Sequence, residues 1–112
     1  MTKKENRVYS RYTNEALELL SGRIKATRLE RGITTQELSE RAGISRGLLR
    51  RIENADPACG IGVVFEVATL LNLTLFQSDY DDLLVKNKTL EDKIALLPSR
   101  ARRTKMKVDD DF

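Results

Sequence analysis

Apolar positions along this chain recur at spacings of three and four, and no segment alternates with the period of two that a half-buried strand requires. The first predicted helix runs from about Asn14 to Glu30. Leu17, Leu20, Ile24 and Thr27 share one face, Arg28 falls inside the same stripe, and Gly32 supplies the stop. A second helix is predicted from Thr35 to Ala42. Thr34 and Glu37 have capping-box spacing, Leu38 and Ala42 point inward, and Gly43 turns the chain. A third spans Ser45 to Glu53 with Ser45 as N-cap. At 100° per residue, Leu48, Leu49 and Ile52 fill an arc of about 100°, and Arg46, Gly47, Arg50, Arg51 and Asn54 an opposing arc of about 140°. Glu53 lies on the border of the apolar arc.

A loop at Ala55-Asp56-Pro57 leads to a fourth helix, about Gly62 to Leu71. It is apolar nearly all round, which predicts a central, buried element. A fifth is expected from Leu75 to Val85, with Thr74 and Gln77 as another capping pair and Phe76, Tyr80, Leu83 and Leu84 as its inward stripe. Leu90, Ile94 and Leu97 are spaced for a sixth short helix over Thr89–Leu97, stopped by Pro98. The expected fold class is all-α: a five-helix domain over 13–97, preceded by a basic arm (1–12) and followed by a mobile basic and acidic tail (98–112).

The chain's 112 residues suit one domain, and 40% hydrophobic with 33% charged residues suits a compact core under a highly charged surface. The absence of tryptophan and the scarcity of aromatics favour a helical core of Leu, Ile, Val and Ala. Net charge is +3, but the charges are sorted. Residues 1–51 carry twelve Lys/Arg and six Asp/Glu, residues 52–85 six acids and no base, and residues 86–108 eight bases and two acids. Asp109, Asp110 and Asp111 close the chain with three further acids. A basic half beside an acidic one implies a positive face for a polyanion and a different partner for the rest.

Several chemistries are poorly served. Histidine, the commonest general base and metal ligand, is absent. Cys59 is the single cysteine, which excludes an internal disulfide and a Cys-rich zinc site and suits a reducing compartment. With no activating histidine, Cys59 reads as a small filler beside Gly60. Asp79, Asp81 and Asp82 lack the glycine and terminal glutamate of a calcium loop and read as a solvated face. Gly60-Ile61-Gly62 has no preceding strand and no Lys-Ser/Thr after it, so it is not a phosphate loop. No catalytic set, cofactor or metal is expected. No apolar run is long enough to span a bilayer, and the basic Met1–Arg11 stretch has no apolar segment after it, unlike a signal peptide. A cytoplasmic, nucleoid-associated protein is expected.

The constellation that carries function lies at 34–54. Two short capped helices meet at Gly43-Ile44, the second has one apolar face and one face with three arginines, and further helices follow to cover the apolar side. That is a helix-turn-helix, whose second helix enters the major groove with its N-terminal residues on base edges. From about Leu20 to Leu75, through RIKATRLERGITTQELSERAGISRGLLRRIEN and VFEVATLLNLTL, the sequence resembles the lambda-repressor and Cro-like regulators of the XRE family.

The resemblance implies base reading by Arg46, Gly47 and Arg51, and phosphate contacts from Thr35, Ser45, Arg50 and Asn54. Arginine can hold guanine through two parallel hydrogen bonds, each such pair contributing ~1–3 kcal/mol of discrimination. Relatives often carry Ser, Thr or Gln at the position of Gly47, which cannot itself read a base, so Arg46 and Arg51 would carry more of the specificity. Many have glycine at the position of Ala55, so the turn after the third helix is expected to differ. The family also pairs the positions of Arg28 and Glu53, implying a partly buried salt bridge that fixes the recognition helix against the first helix.

Double-stranded operator DNA and a homodimer through residues 72–97 are the partners implied, with no membrane contact. The run LPSRARRTKMKVDDDF resembles tails of HipB-type antitoxin regulators encoded beside HipA-type kinases, which implies an autorepressor of a toxin–antitoxin operon that binds the kinase or a small companion protein. The competing reading is a protein–protein interaction module on the same fold, against which the three outward arginines speak. Without a nucleophile–base pair, an enzyme is the weakest reading.

Overall fold

A computed structural model describes residues 7–101 of the chain, and they are all-α. The basic arm's residues 1–6 and the tail's residues 102–112 lie outside the described residues. Five helices follow in order: α1 (Arg11–Glu30), α2 (Thr35–Ala42), α3 (Arg46–Glu53), α4 (Ile61–Leu70) and α5 (Tyr80–Leu96). The chain divides into two compact units, Met1–Phe76 and Gln77–Phe112.

In the first unit each helix start is set by a small extended residue. Ser10 caps α1 by accepting from the Thr13 N–H, so that the helix starts at Arg11, three residues before its predicted start, and Ser45 caps α3 by accepting from the Leu48 N–H. Thr34 and Glu37 form a complete capping box on α2. Gly60 begins α4 with no side-chain cap.

All four helices end on one motif. A left-handed residue follows the last turn, its N–H returns to the carbonyl three residues back, and the next N–H reaches five residues back. Gly32 (φ +69°) and Ile33 do this for α1, Gly43 (φ +70°) and Ile44 for α2, Ala55 (φ +62°) and Asp56 for α3, and Asn72 (φ +60°) and Leu73 for α4. Glycine takes this conformation without steric cost and asparagine tolerates it, but alanine does not favour it. Ala55 is therefore a strained stop.

The core is small and aliphatic. Ile24 from α1, Leu38 from α2, Leu49 and Ile52 from α3, and Val67, Ala68 and Leu71 at α4 form one buried cluster. Leu20, Ile33, Ile44, Leu48, Val63 and Leu75 pack around it. The most closely packed helix pairs are α2 with α3, α2 with α4, and α1 with α3. The fourth helix departs from its expected burial. Val67 and Ala68 are deep, Val63, Val64, Phe65 and Leu70 are half-covered, and Ile61 is 73% exposed. A helix reaching a single small core can bury only one face of an all-apolar surface.

The region after Leu75 also differs from expectation. Leu75–Gln77 is a single 3-10 turn in which Phe76 (φ +69°) and Gln77 (φ +50°) are left-handed, so no α-helix can start there. Phe76 stacks on Phe65 within the first unit, ring centroids 6.1 Å apart. The fifth helix instead starts at Tyr80 on a capping box made by Asp79 and Asp82. It then runs unbroken through Lys86-Asn87-Lys88, where a gap between two helices was expected; none of these residues removes a backbone donor or forces a turn. Tyr80, Leu83 and Leu84, expected to point inward, are exposed.

Candidate functional site

The site is built on the short helix α3. Its eight residues would not hold a helix in isolation, so its position depends on its neighbours. Leu49 and Ile52 bury one face and Leu48 covers the margin. Two polar ties from α1 fix the C-terminal half. The Ser21 hydroxyl, buried on α1, donates to the Ile52 carbonyl at 2.6 Å. Arg28 grips Glu53 through both carboxylate oxygens, Nε to Oε2 at 2.7 Å and Nη2 to Oε1 at 3.0 Å.

The Arg28–Glu53 side chains are only 8% and 6% exposed. A buried ion pair offsets its desolvation only when its geometry is good and its remaining donors are satisfied. Here the fork is bidentate, and Arg28 Nη1 donates to the Ile33 carbonyl at 2.9 Å, in the turn that leads to α2. Donation to the Glu53 carboxylate, opposed by desolvation, raises the guanidinium pKa above its ordinary value. Arg28 thus ties α1, the α1–α2 turn and α3 into one frame.

The opposite face of α3 is open. Arg46, Gly47, Arg50, Arg51 and Asn54 are exposed, as is Ser45 at the cap. Among the described residues, neither Arg46 nor Arg50 has an ion-pair partner. Arg51 differs: its Nε donates to Asp56 Oδ2 at 3.1 Å. Asp56 is itself placed by the α3 stop, its N–H on the Arg51 carbonyl and its Oδ1 accepting from the Ala58 N–H. The five exposed residues share α3's outer face, but Arg51 is drawn toward the α3–α4 loop and its two terminal nitrogens are what it can offer a ligand.

Gly47 sits in this face with open space around it. A Cβ there would meet only the Ser45 hydroxyl, at 3.8 Å. Thr35 is the first residue of α2 and is partly exposed. The start of α2 already carries a negative charge, because the Glu37 carboxylate accepts from the Thr34 N–H at 2.8 Å and is held below its ordinary pKa by that bond. What α2 offers an anion is therefore the N–H groups of Thr35 and Gln36, against a nearby carboxylate.

Two elements of this site were not read from the sequence. Ser21 shares a stripe with the buried Ile24 and Arg28 at spacings of three and four, and that spacing was the available signal. The Asp56 tether had no signal, since it depends on the backbone path after Ala55. Cys59 is half-buried against the core, and among the described residues no group of three or more His, Cys, Asp or Glu could hold a metal ion. No described helix is long and apolar enough to cross a membrane.

Residues 24–77 match the model of a family described as Helix-turn-helix, a span that begins at Ile24 in α1 and takes in α2, α3 and α4. No curated protein and no solved structure is significantly similar to the chain.

Proposed function

We propose that this chain, whose residues 24–77 match a helix-turn-helix family, is a sequence-specific transcriptional regulator of the XRE and Cro-like kind that places α3 in the major groove of double-stranded DNA. One observation carries this reading: an α3 whose inner face is locked to α1 by Arg28–Glu53 and Ser21–Ile52 while its outer face presents Arg46, Gly47, Arg50 and Asn54 to solvent. A rigid helix with an arginine-bearing face suits base edges, because the bidentate grip on guanine tolerates little misplacement.

In this reading Arg46 reads a base from the N-terminal end of α3, and Gly47 lets the helix approach the base edges closely. Arg51 reads a second base through its terminal nitrogens while Asp56 orders its guanidinium. Thr35, Ser45, Arg50 and Asn54 hold phosphates and fix the register. The regulator works as a homodimer on a palindromic operator, its half-sites one helical turn apart. It acts in the cytoplasm as an autorepressor of its own operon. The tail similarity to regulators encoded beside HipA-type kinases extends this to a toxin–antitoxin operon and a kinase or small companion protein as partner; it rests on the sequence alone, largely outside the described residues.

The test is binding to DNA from upstream of the chain's own gene against random-sequence competitor. Arg46→Ala should lose ~1–3 kcal/mol of discrimination, about five- to 150-fold. Arg50→Ala should weaken binding to every sequence alike and lower the salt slope by about one. Equal binding to both DNAs, or none, would replace this reading with that of an interaction module. A pull-down from the native host that recovers no kinase-like protein counts against the toxin–antitoxin extension alone.

A further inference from the structure

Arg51 differs from Arg46 and Arg50 in leaning on an acid of its own chain, and that acid is fixed in place. The Asp56 N–H donates to the Arg51 carbonyl at 3.0 Å, and Oδ1 accepts from the Ala58 N–H at 2.9 Å. Pro57 follows, with a fixed φ of its own and a ring that disfavours helical backbone at Asp56. The second oxygen, Oδ2, accepts from Arg51 Nε at 3.1 Å. Neither stability nor affinity accounts for a carboxylate here. The two side chains are 52% and 31% exposed, and pairs as open as this stabilise a fold little. The turn needs only the oxygen that accepts from Ala58, which asparagine would supply without the charge. A negative charge on the outer face of α3 also opposes the approach of a polyanion. What the carboxylate does supply is a fixed acceptor for Nε.

We propose that Asp56 is a specificity-determining positioning residue: it makes Arg51 a guanine reader of one orientation and weakens the hold on every other sequence. This deepens the reading of α3 as a groove-binding helix and rests on it. A guanidinium offers two forks of parallel N–H groups, one made by Nε with a terminal nitrogen and one by the two terminal nitrogens. Asp56 takes Nε and so closes the first fork. The end-on fork remains, and it matches the paired acceptors O6 and N7 of guanine. Adenine sets an amino donor against one of those N–H groups and fills the fork badly. Because Asp56 already orders the side chain, a guanine in register meets Arg51 with little further loss of rotamer freedom. DNA without that guanine gains no such fit and still meets the repulsion of the carboxylate.

The experiment selects binding sites from a random-sequence duplex DNA library with the full chain. It compares the wild type with Arg46→Ala, Arg51→Ala, Asp56→Asn and the Arg51→Ala, Asp56→Asn pair. Arg46→Ala and Arg51→Ala should each lose a different guanine from the selected site. Asp56→Asn keeps an acceptor for the Ala58 N–H and removes the one for Arg51 Nε. It should weaken the preference for the Arg51 guanine about two- to tenfold, the ordering cost of one long side chain. It should spare the Arg46 guanine and bind unselected DNA more tightly. Added to Arg51→Ala, it should change the selected sequence no further. Full guanine preference in Asp56→Asn overturns the proposal, and so does an Arg51→Ala variant that loses no guanine. A loss at the Arg46 guanine, or a further change in the Arg51→Ala background, overturns it as well, since Asp56 would then act through the fold. Those outcomes leave the groove-binding reading of α3 standing, whereas a wild type that enriches no sequence removes both.

Discussion

α2 and α5 begin alike and end differently. Each opens on a capping box, Thr34 with Glu37 in one and Asp79 with Asp82 in the other. α2 has eight residues, too few to persist alone, yet it is placed firmly because Leu38 is buried in the core and Ser39 beside it. α5 is more than twice as long, yet none of its residues is fully buried. Local capping decides where a helix can start, and a shared apolar core decides whether that helix becomes a fixed support. The candidate DNA-reading face sits on a helix of the first sort, as α3 is equally short and equally well held.

The comparison breaks most sharply at Arg28. Arg28→Ala strands the Glu53 carboxylate in the core and should cost ~3–5 kcal/mol, read as a fall in Tm. An unchanged Tm would mean that α3 does not depend on this anchor. Arg28→Met with Glu53→Leu should cost much less than the two single variants combined. Leu38→Ala comes next, at ~2–5 kcal/mol by denaturant unfolding, whereas Leu96→Ala on the outside of α5 should stay within ~0.5 kcal/mol. Similar losses at the two sites would show that α5 belongs to the same core.

Two smaller changes should stabilise α3. Ala55→Gly relieves the left-handed alanine at its stop and should raise stability by ~1 kcal/mol. Gly47→Ala fills open space within the helix and should also gain up to ~1 kcal/mol. If Gly47 serves close approach to DNA, the same variant binds its operator more weakly although it is more stable, and measuring both in one preparation separates fold from function.

The smallest effect concerns the α2 box. The Glu37 carboxylate is depressed by its bond to Thr34, so its contribution is present above its unfolded value and lost as pH falls through the folded one. Glu37→Gln should keep the hydrogen bond and flatten that acid limb of the Tm–pH curve.

Much of the fold was legible because its signals are local. Glycines at 32 and 43, Ser45, and the Thr34–Glu37 pair delimit α2 and α3 by backbone preference alone, and the three-and-four spacing of Leu48, Leu49 and Ile52 gives α3 its inner face. The same reasoning misplaced the start of α5. Thr74 and Gln77 have capping spacing, but Phe76 and Gln77 turn left-handed, and Asp79 and Asp82, exposed like Asp81, form the box that starts the helix.

The sequence by itself determined the all-α class, the spans of α2 and α3, the outer position of Arg46, Arg50 and Arg51, and the inward position of Arg28, because each follows from helical periodicity or from a residue's own backbone preference. Only the tertiary structure decided that Ser21 holds the Ile52 carbonyl, that Arg51 is drawn to Asp56 while Arg46 and Arg50 are not, that Ala55 is strained, and that α4 covers only one face of its apolar surface. Those outcomes depend on where separate segments come to lie and on how much core there is to share, and no spacing along a single helix encodes either.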